Sequence, residues 1–90
     1  MVKINPRDNG QALFEPGLTL AALRPGQSGI ILAVTGEPAT RMHLLELGFV
    51  AGSSIAFLMS TPFGDPGVYA LRGTTIALRK SEAMCIRIRP

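Results

Sequence analysis

Between Pro38 and Gly48 the chain reads as one helix, and no other stretch of similar length keeps helical spacing. Pro38 stands where a first helical residue can spare its N–H, and Gly48 follows the last leucine as a C-terminal cap would. The span, about residues 38–47, makes roughly three turns at 3.6 residues per turn. At 100° per residue, Arg41, Leu44, Leu45 and Gly48 fall on one side and Met42 and Leu47 on its flanks. Only His43 and Glu46 make a polar arc. A helix so apolar around its girth is either wedged between two parts of a fold or packed on one side and turned toward a partner on the other. Phe49 to Gly52 then leads the chain out of the helix.

The flanking segments read as strands. Gly29 to Val34 is aliphatic without polar alternation, the pattern of a strand covered on both faces, and the helix is the one large element available to cover it. Ser54 to Ser60 places Ile55, Phe57 and Met59 on one face, with Ala56 and Leu58 on the other. Thr61 to Gly67 is dense in turn residues and makes a loop. Alternation is clearer in Val68–Arg72, Thr75–Arg79 and Met84–Arg89, with Tyr69, Leu71, Ile76, Leu78, Met84, Ile86 and Ile88 inward. In this reading Cys85, Arg87 and Arg89 face outward. Gly73-Thr74 is a tight turn, and Lys80–Ala83 is one short helical turn. Thr19 caps another such turn, ended before Pro25. Five short strands with one inserted helix and a helical turn before the last strand predict a mainly β fold, a small SH3-like barrel.

Ninety residues are one domain, here 18–90, preceded by an extension at 1–17 that is polar and broken by Pro6, Gly10, Pro16 and Gly17. One cysteine excludes an internal disulfide and fits a reducing compartment, and the N-terminus carries no secretory signal pattern. The longest aliphatic run, Ile30 to Val34, is far below the roughly 20 residues of a membrane-spanning helix, so a cytoplasmic protein without membrane insertion is expected.

Reactive groups are scarce. One His, one Cys and six acids form no recognised motif, so neither an enzyme nor a resident cofactor is expected. His43 and Glu46 sit three apart on the helix, which leaves a metal site short of ligands; adding Cys85 gives a weak iron- or zinc-sensing alternative. The glycines have neither P-loop nor dinucleotide-binding spacing. The net charge of +3 is scattered, with only Arg79-Lys80 adjacent. Nucleic-acid binding through an outward face of Arg72, Arg79, Arg87 and Arg89 is the alternative function, whereas no nucleic-acid partner is expected on the principal reading. Arg41 is the odd residue of the helix, with a stem that can cover the core while its head reaches a polar group or a partner.

From Leu18 to Ile88, about four-fifths of its length, the chain resembles the FeoA family of ferrous-iron transport accessory proteins. The resemblance is carried by Leu20 and Leu23 before Gly26-Gln27-Ser28-Gly29-Ile30, and by Arg41 with Leu44 to Ser53. It continues through Pro62 to Pro66, Arg72-Gly73-Thr74-Thr75-Ile76-Ala77-Leu78-Arg79, Glu82-Ala83 and Ile86. The family's common Pro-Gly after the helix is Ala51-Gly52 here. The resemblance implies a cytoplasmic SH3-like protein that regulates or organises the FeoB-type ferrous-iron permease, whose cytoplasmic part is a G-protein domain. The same fold also ends iron- and manganese-responsive repressors, but this chain has no DNA-binding helix-turn-helix. On this basis the contact is expected from the uncovered side of the helix (Arg41, His43, Leu44, Leu47) and from the loop carrying Phe63 and Asp65.

Overall fold

Alternating side chains on short strands demand a common interior, and the computed structural model shows how they find one over the residues it describes, 18–90. In chain order these are a 3-10 turn (Leu20–Ala22), β1 (Ser28–Val34), α1 (Pro38–Glu46), β2 (Ser54–Ser60), β3 (Gly67–Leu71), β4 (Thr74–Leu78), α2 (Lys80–Ala83) and β5 (Ile86–Arg89). The strands pair antiparallel in the order β4-β3-β2-β1-β5. Ile31, Ile55, Phe57, Tyr69, Leu71, Leu78, Ile86 and Ile88 turn inward and share one buried cluster with Leu20, Leu44, Phe49 and Ala83. Leu78 comes from one edge strand and Ile86 and Ile88 from the other. A sheet whose two edges fill one core is curled on itself, and this is the expected SH3-like architecture. The extension expected at 1–17 lies outside the described residues.

Helix α1 ends as Gly48 foretold. Gly48 has φ +106°, a left-handed conformation that a Cβ would strain. Its N–H donates to the Leu45 carbonyl (3.0 Å) and the Phe49 N–H to the Leu44 carbonyl (3.1 Å). This paired closure is a Schellman motif, and its usual accompaniment, an apolar contact between the residue beyond the glycine and the last turn, is present in kind. Leu44 and Phe49 are each 0% exposed and belong to the same cluster. The next residues tie the turn to the sheet: Gly52 N–H donates to the Ile31 carbonyl (2.8 Å), and Ile31 N–H to the Ser53 carbonyl (2.9 Å).

Four expectations fail for local reasons. β1 is not covered on both faces, because α1 touches the body chiefly through Leu44 and leaves Leu32 exposed. Met59 does not join Ile55 and Phe57 inside, since a bulge between Phe57 and Met59 shifts the pairing with β3 and turns it to solvent. Met84 is the C-cap of α2 rather than the start of a strand, so it too is exposed and β5 begins at Ile86. At Thr19 the cap is made by the backbone carbonyl, which accepts the Ala22 N–H at 2.9 Å, while the hydroxyl makes no cap bond.

Leu44→Ala is expected to lower stability by about 2–5 kcal/mol, and Gly48→Ala by about 1–2 kcal/mol. Leu45→Ala, on the open side of the same turn, should cost about 1 kcal/mol or less. Urea denaturation of the three variants checks the order.

Candidate partner-docking surface

Of the nine residues of α1 only Leu44 is buried and Thr40 half-buried, so the helix stands on the body chiefly by one side chain and shows the other seven residues to solvent. Met42 (57% exposed), Leu45 (39%) and Leu47 (40%) are therefore open apolar groups, flanked by exposed Arg41 and His43. Met42 and Leu45 are three apart and share a stripe. Sequence reasoning placed Leu45 beside Leu44 and treated Met42 as a flank. The spacing itself carried the signal, because a helix with one buried position leaves its i+1 and i−2 neighbours outside. Leu44, assigned above to the contact surface, is corrected here: it is core and unavailable to a partner. Arg41 is exposed rather than laid over the core.

The loop between β2 and β3 divides its two candidates. Phe63 is 93% exposed, an aromatic ring with almost no protein around it. Asp65 is engaged, its Oδ1 accepting the Lys80 N–H (3.0 Å) at the start of α2. That bond satisfies a helix N–H that has no partner within the helix. Asp65 thus fixes loop to helix. Leu47 and Phe63 lie on different elements, the end of α1 and the loop that follows β2.

Between α1 and α2 lies a cleft of about 650 Å³, walled by Glu37, Thr40, His43, Arg79, Glu82 and Cys85 among others. Cys85 is half-buried there, in the turn before β5, against Gly36, and not on the outward face of a strand. His43 and Cys85 share the cleft but Glu46 does not, so the three ligands considered for a metal do not come together. Among the described residues no three His, Cys, Asp or Glu side chains are grouped to hold a metal ion. The four arginines of the nucleic-acid reading also separate. Arg72 and Arg79 bracket β4 at one edge of the sheet, while Arg89 and half-buried Arg87 lie on β5 at the other. No helix among the described residues is long and apolar enough to cross a membrane.

Under the loop, Tyr69 stacks on Phe57 with ring centroids 4.8 Å apart and planes at 21°. Both line a small cavity of about 160 Å³ with Ala21, Asp65 and Lys80. Burial raises the Tyr69 phenol above its ordinary 10.0, and the negative charge of Asp65 raises it further.

Comparison with known proteins agrees with this geometry. A model of the FeoA domain matches residues 18–90. Over 71 residues the chain is 31% identical to a protein of Porphyromonas gingivalis named as an Fe(2+) transport protein A/Fe(2+) transporter FeoB fusion. The match takes in 79% of this chain but spans only 8% of that relative's length. A FeoA-like protein of Clostridium acetobutylicum superposes with a TM-score of 0.75 at 30% identity, covering 81% of this chain and 85% of the other. FeoA of Stenotrophomonas maltophilia, solved in complex with zinc and described as an SH3 domain protein, superposes at 0.72 and 30% identity, covering 80% and 89%.

Tyr69 is the only tyrosine, so phenolate absorbance reports on it alone. It should titrate above pH 10.0, and Asp65→Asn should bring its midpoint down. A phenol whose folded pKa is raised contributes stability below pH 10.0 that is lost as pH climbs through the folded value. Tyr69→Phe should accordingly flatten the alkaline limb of a stability-against-pH curve.

Proposed function

Because the chain belongs to the FeoA domain family, we propose that it is an accessory protein of ferrous-iron transport that works by docking on a FeoB-type permease. The observation that carries this reading is the exposed apolar set of α1 and its turn, Met42, Leu45 and Leu47, joined by Phe63 on its loop. Exposed apolar side chains grouped on one element favour a protein interface over catalysis, and an exposed aromatic ring is a common anchor at such an interface. The Porphyromonas gingivalis relative, named as a single chain uniting transport protein A with FeoB, supports the choice of partner. On this reading the protein acts in the cytoplasm without turnover, regulating or organising the permease. Arg41 and His43 supply the polar rim of the contact, and Asp65 holds the Phe63 loop in place through Lys80.

The nucleic-acid reading is the weaker one, because its arginines are split between two edges of the sheet. Separated charges still make a measurable alternative: several phosphate contacts would give affinity that falls steeply with salt.

Leu47→Gln and Phe63→Asp are expected to change stability by no more than about 0.5 kcal/mol, as exposed positions do. Each should lower ferrous-iron uptake by cells and recovery of the permease in a pull-down from membranes. Uptake equal to the parent's with both substitutions combined would remove these residues from the interface.

A further inference from the structure

A sheet of five strands that does not close by hydrogen bonds has two edges, here β4 and β5. The β5 edge is covered: Thr19 bridges Arg87, and Ile88 N–H donates to the Leu18 carbonyl at 3.2 Å. The β4 edge has no such cover among the described residues. Nor does β4 carry the devices that usually blunt an edge. Its sequence, Thr74-Thr75-Ile76-Ala77-Leu78, has no charge and no proline, and its pairing with β3 runs without a bulge.

Arg72 and Gly73 join β3 to β4 with φ of 54° and 81°, the pattern of a two-residue hairpin turn. In such a hairpin the flanking pair, Leu71 and Thr74, exchanges both hydrogen bonds, and bonding pairs then alternate. Tyr69–Ile76 and Gly67–Leu78 bond as well, while Ala70–Thr75 and Val68–Ala77 do not. The N–H and C=O of Thr75 and Ala77 therefore point away from β3, toward solvent. Both side chains are exposed, and Ile76 beside them is only half-buried.

We propose that the β4 edge is a site for strand addition, taking an extended segment of another protein that has alternating apolar residues and a carboxylate at each end. The backbone groups of Thr75 and Ala77 supply the ladder, and the half-buried Ile76 supplies an apolar neighbour for the added side chains. Charge selects the occupant. Arg72 stands at one end of β4 and Arg79 with Lys80 at the other, all exposed, with no ion pair on these side chains among the described residues. Asp65 and Glu82 also lie at the second end, spent on the Lys80 and Arg79 N–H groups, so Arg72 is the stronger of the two cationic ends. A second copy of this chain would bring cationic ends against cationic ends in either strand polarity, which disfavours it. Seven residue steps from Arg72 to Arg79 span about 23 Å, the reach of a heptapeptide or octapeptide strand. Arg72 also keeps a positive φ that costs an ordinary side chain about 1 kcal/mol, where Asn or Gly would sit easily. Strain held at a charged position on a binding edge accords with a use for the charge. The backbone groups of the site lie on β4 rather than on α1 or the Phe63 loop, although Arg79 also walls the α1–α2 cleft, and the proposal does not depend on the permease reading.

The test uses the full chain, isotope-labelled, with a heptapeptide of alternating valine and threonine flanked by glutamates, and its lysine-flanked twin. The glutamate peptide should slow amide exchange at Thr75 and Ala77, and the lysine peptide should bind at least about tenfold more weakly. Combined Arg72→Glu and Arg79→Glu should invert that preference. Ala77→Pro removes an N–H that β3 does not use, so it should keep the fold and abolish binding. Backbone N-methylation of the peptide should abolish it on the unmodified chain. Unchanged exchange at Thr75 and Ala77 up to about 1 mM glutamate peptide overturns the proposal. So does equal binding of the two peptides, or protection of these amides by self-association without any peptide.

Discussion

The end of α1 is where chain direction, backbone satisfaction and core packing are settled together. Two carbonyls that a helix terminus leaves without partners, those of Leu44 and Leu45, accept N–H groups from the two residues that follow the helix. The left-handed Gly48 makes this possible, and the reversal delivers Phe49 into the interior occupied by Leu44. From there Gly52 and Ser53 hydrogen-bond to Ile31, so the same few residues set where β1 and β2 begin to pair. Since one side chain anchors the helix, the remaining apolar residues need not serve the core. An exposed apolar surface is thereby obtained from a helix whose composition resembles that of a buried one.

That economy also explains which parts of the molecule could be read from the chain. Pro38 and Gly48 bounded the helix to within a residue, because both act through local backbone chemistry. Inward residues followed where alternation was strict, as with Tyr69 and Leu71, although the strand expected at Val68–Arg72 runs one residue earlier, Gly67–Leu71. The reading failed where long-range pairing decided. The bulge that expels Met59 exists only in the register between β2 and β3, and nothing in Phe57-Leu58-Met59 announces it. Cys85 and Met84 were assigned to a strand because their alternation continues that of β5, whereas α2 takes one more residue as its cap. For the site, Phe63 and Leu47 were legible as apolar residues at turn and cap positions. The burial of Leu44 was not, because a helix wheel gives relative angles and only the body of the protein says which angle faces it.

The short helix α2 links these regions. Its first N–H is held by Asp65 from the β2–β3 loop, and Glu82 Oε1 accepts the Arg79 N–H at 2.9 Å. Its other end leads to Cys85, packed on Gly36 just before α1. The Phe63 loop and the exposed helix are therefore connected through four residues rather than through the sheet.

The two sheet edges complete this division of surfaces. One is closed by the chain itself at Leu18 and Thr19, and the other carries outward backbone groups between cationic ends. An uncharged edge strand would ordinarily invite pairing with its own copies. Placing Arg72 in the turn and Arg79-Lys80 just past the strand discourages that pairing without putting charge in the strand, where it would disturb the half-buried Ile76. The same arrangement leaves the hydrogen-bonding groups available to a segment of opposite charge. Protection from self-association and selectivity for an acidic strand then follow from one placement of charge.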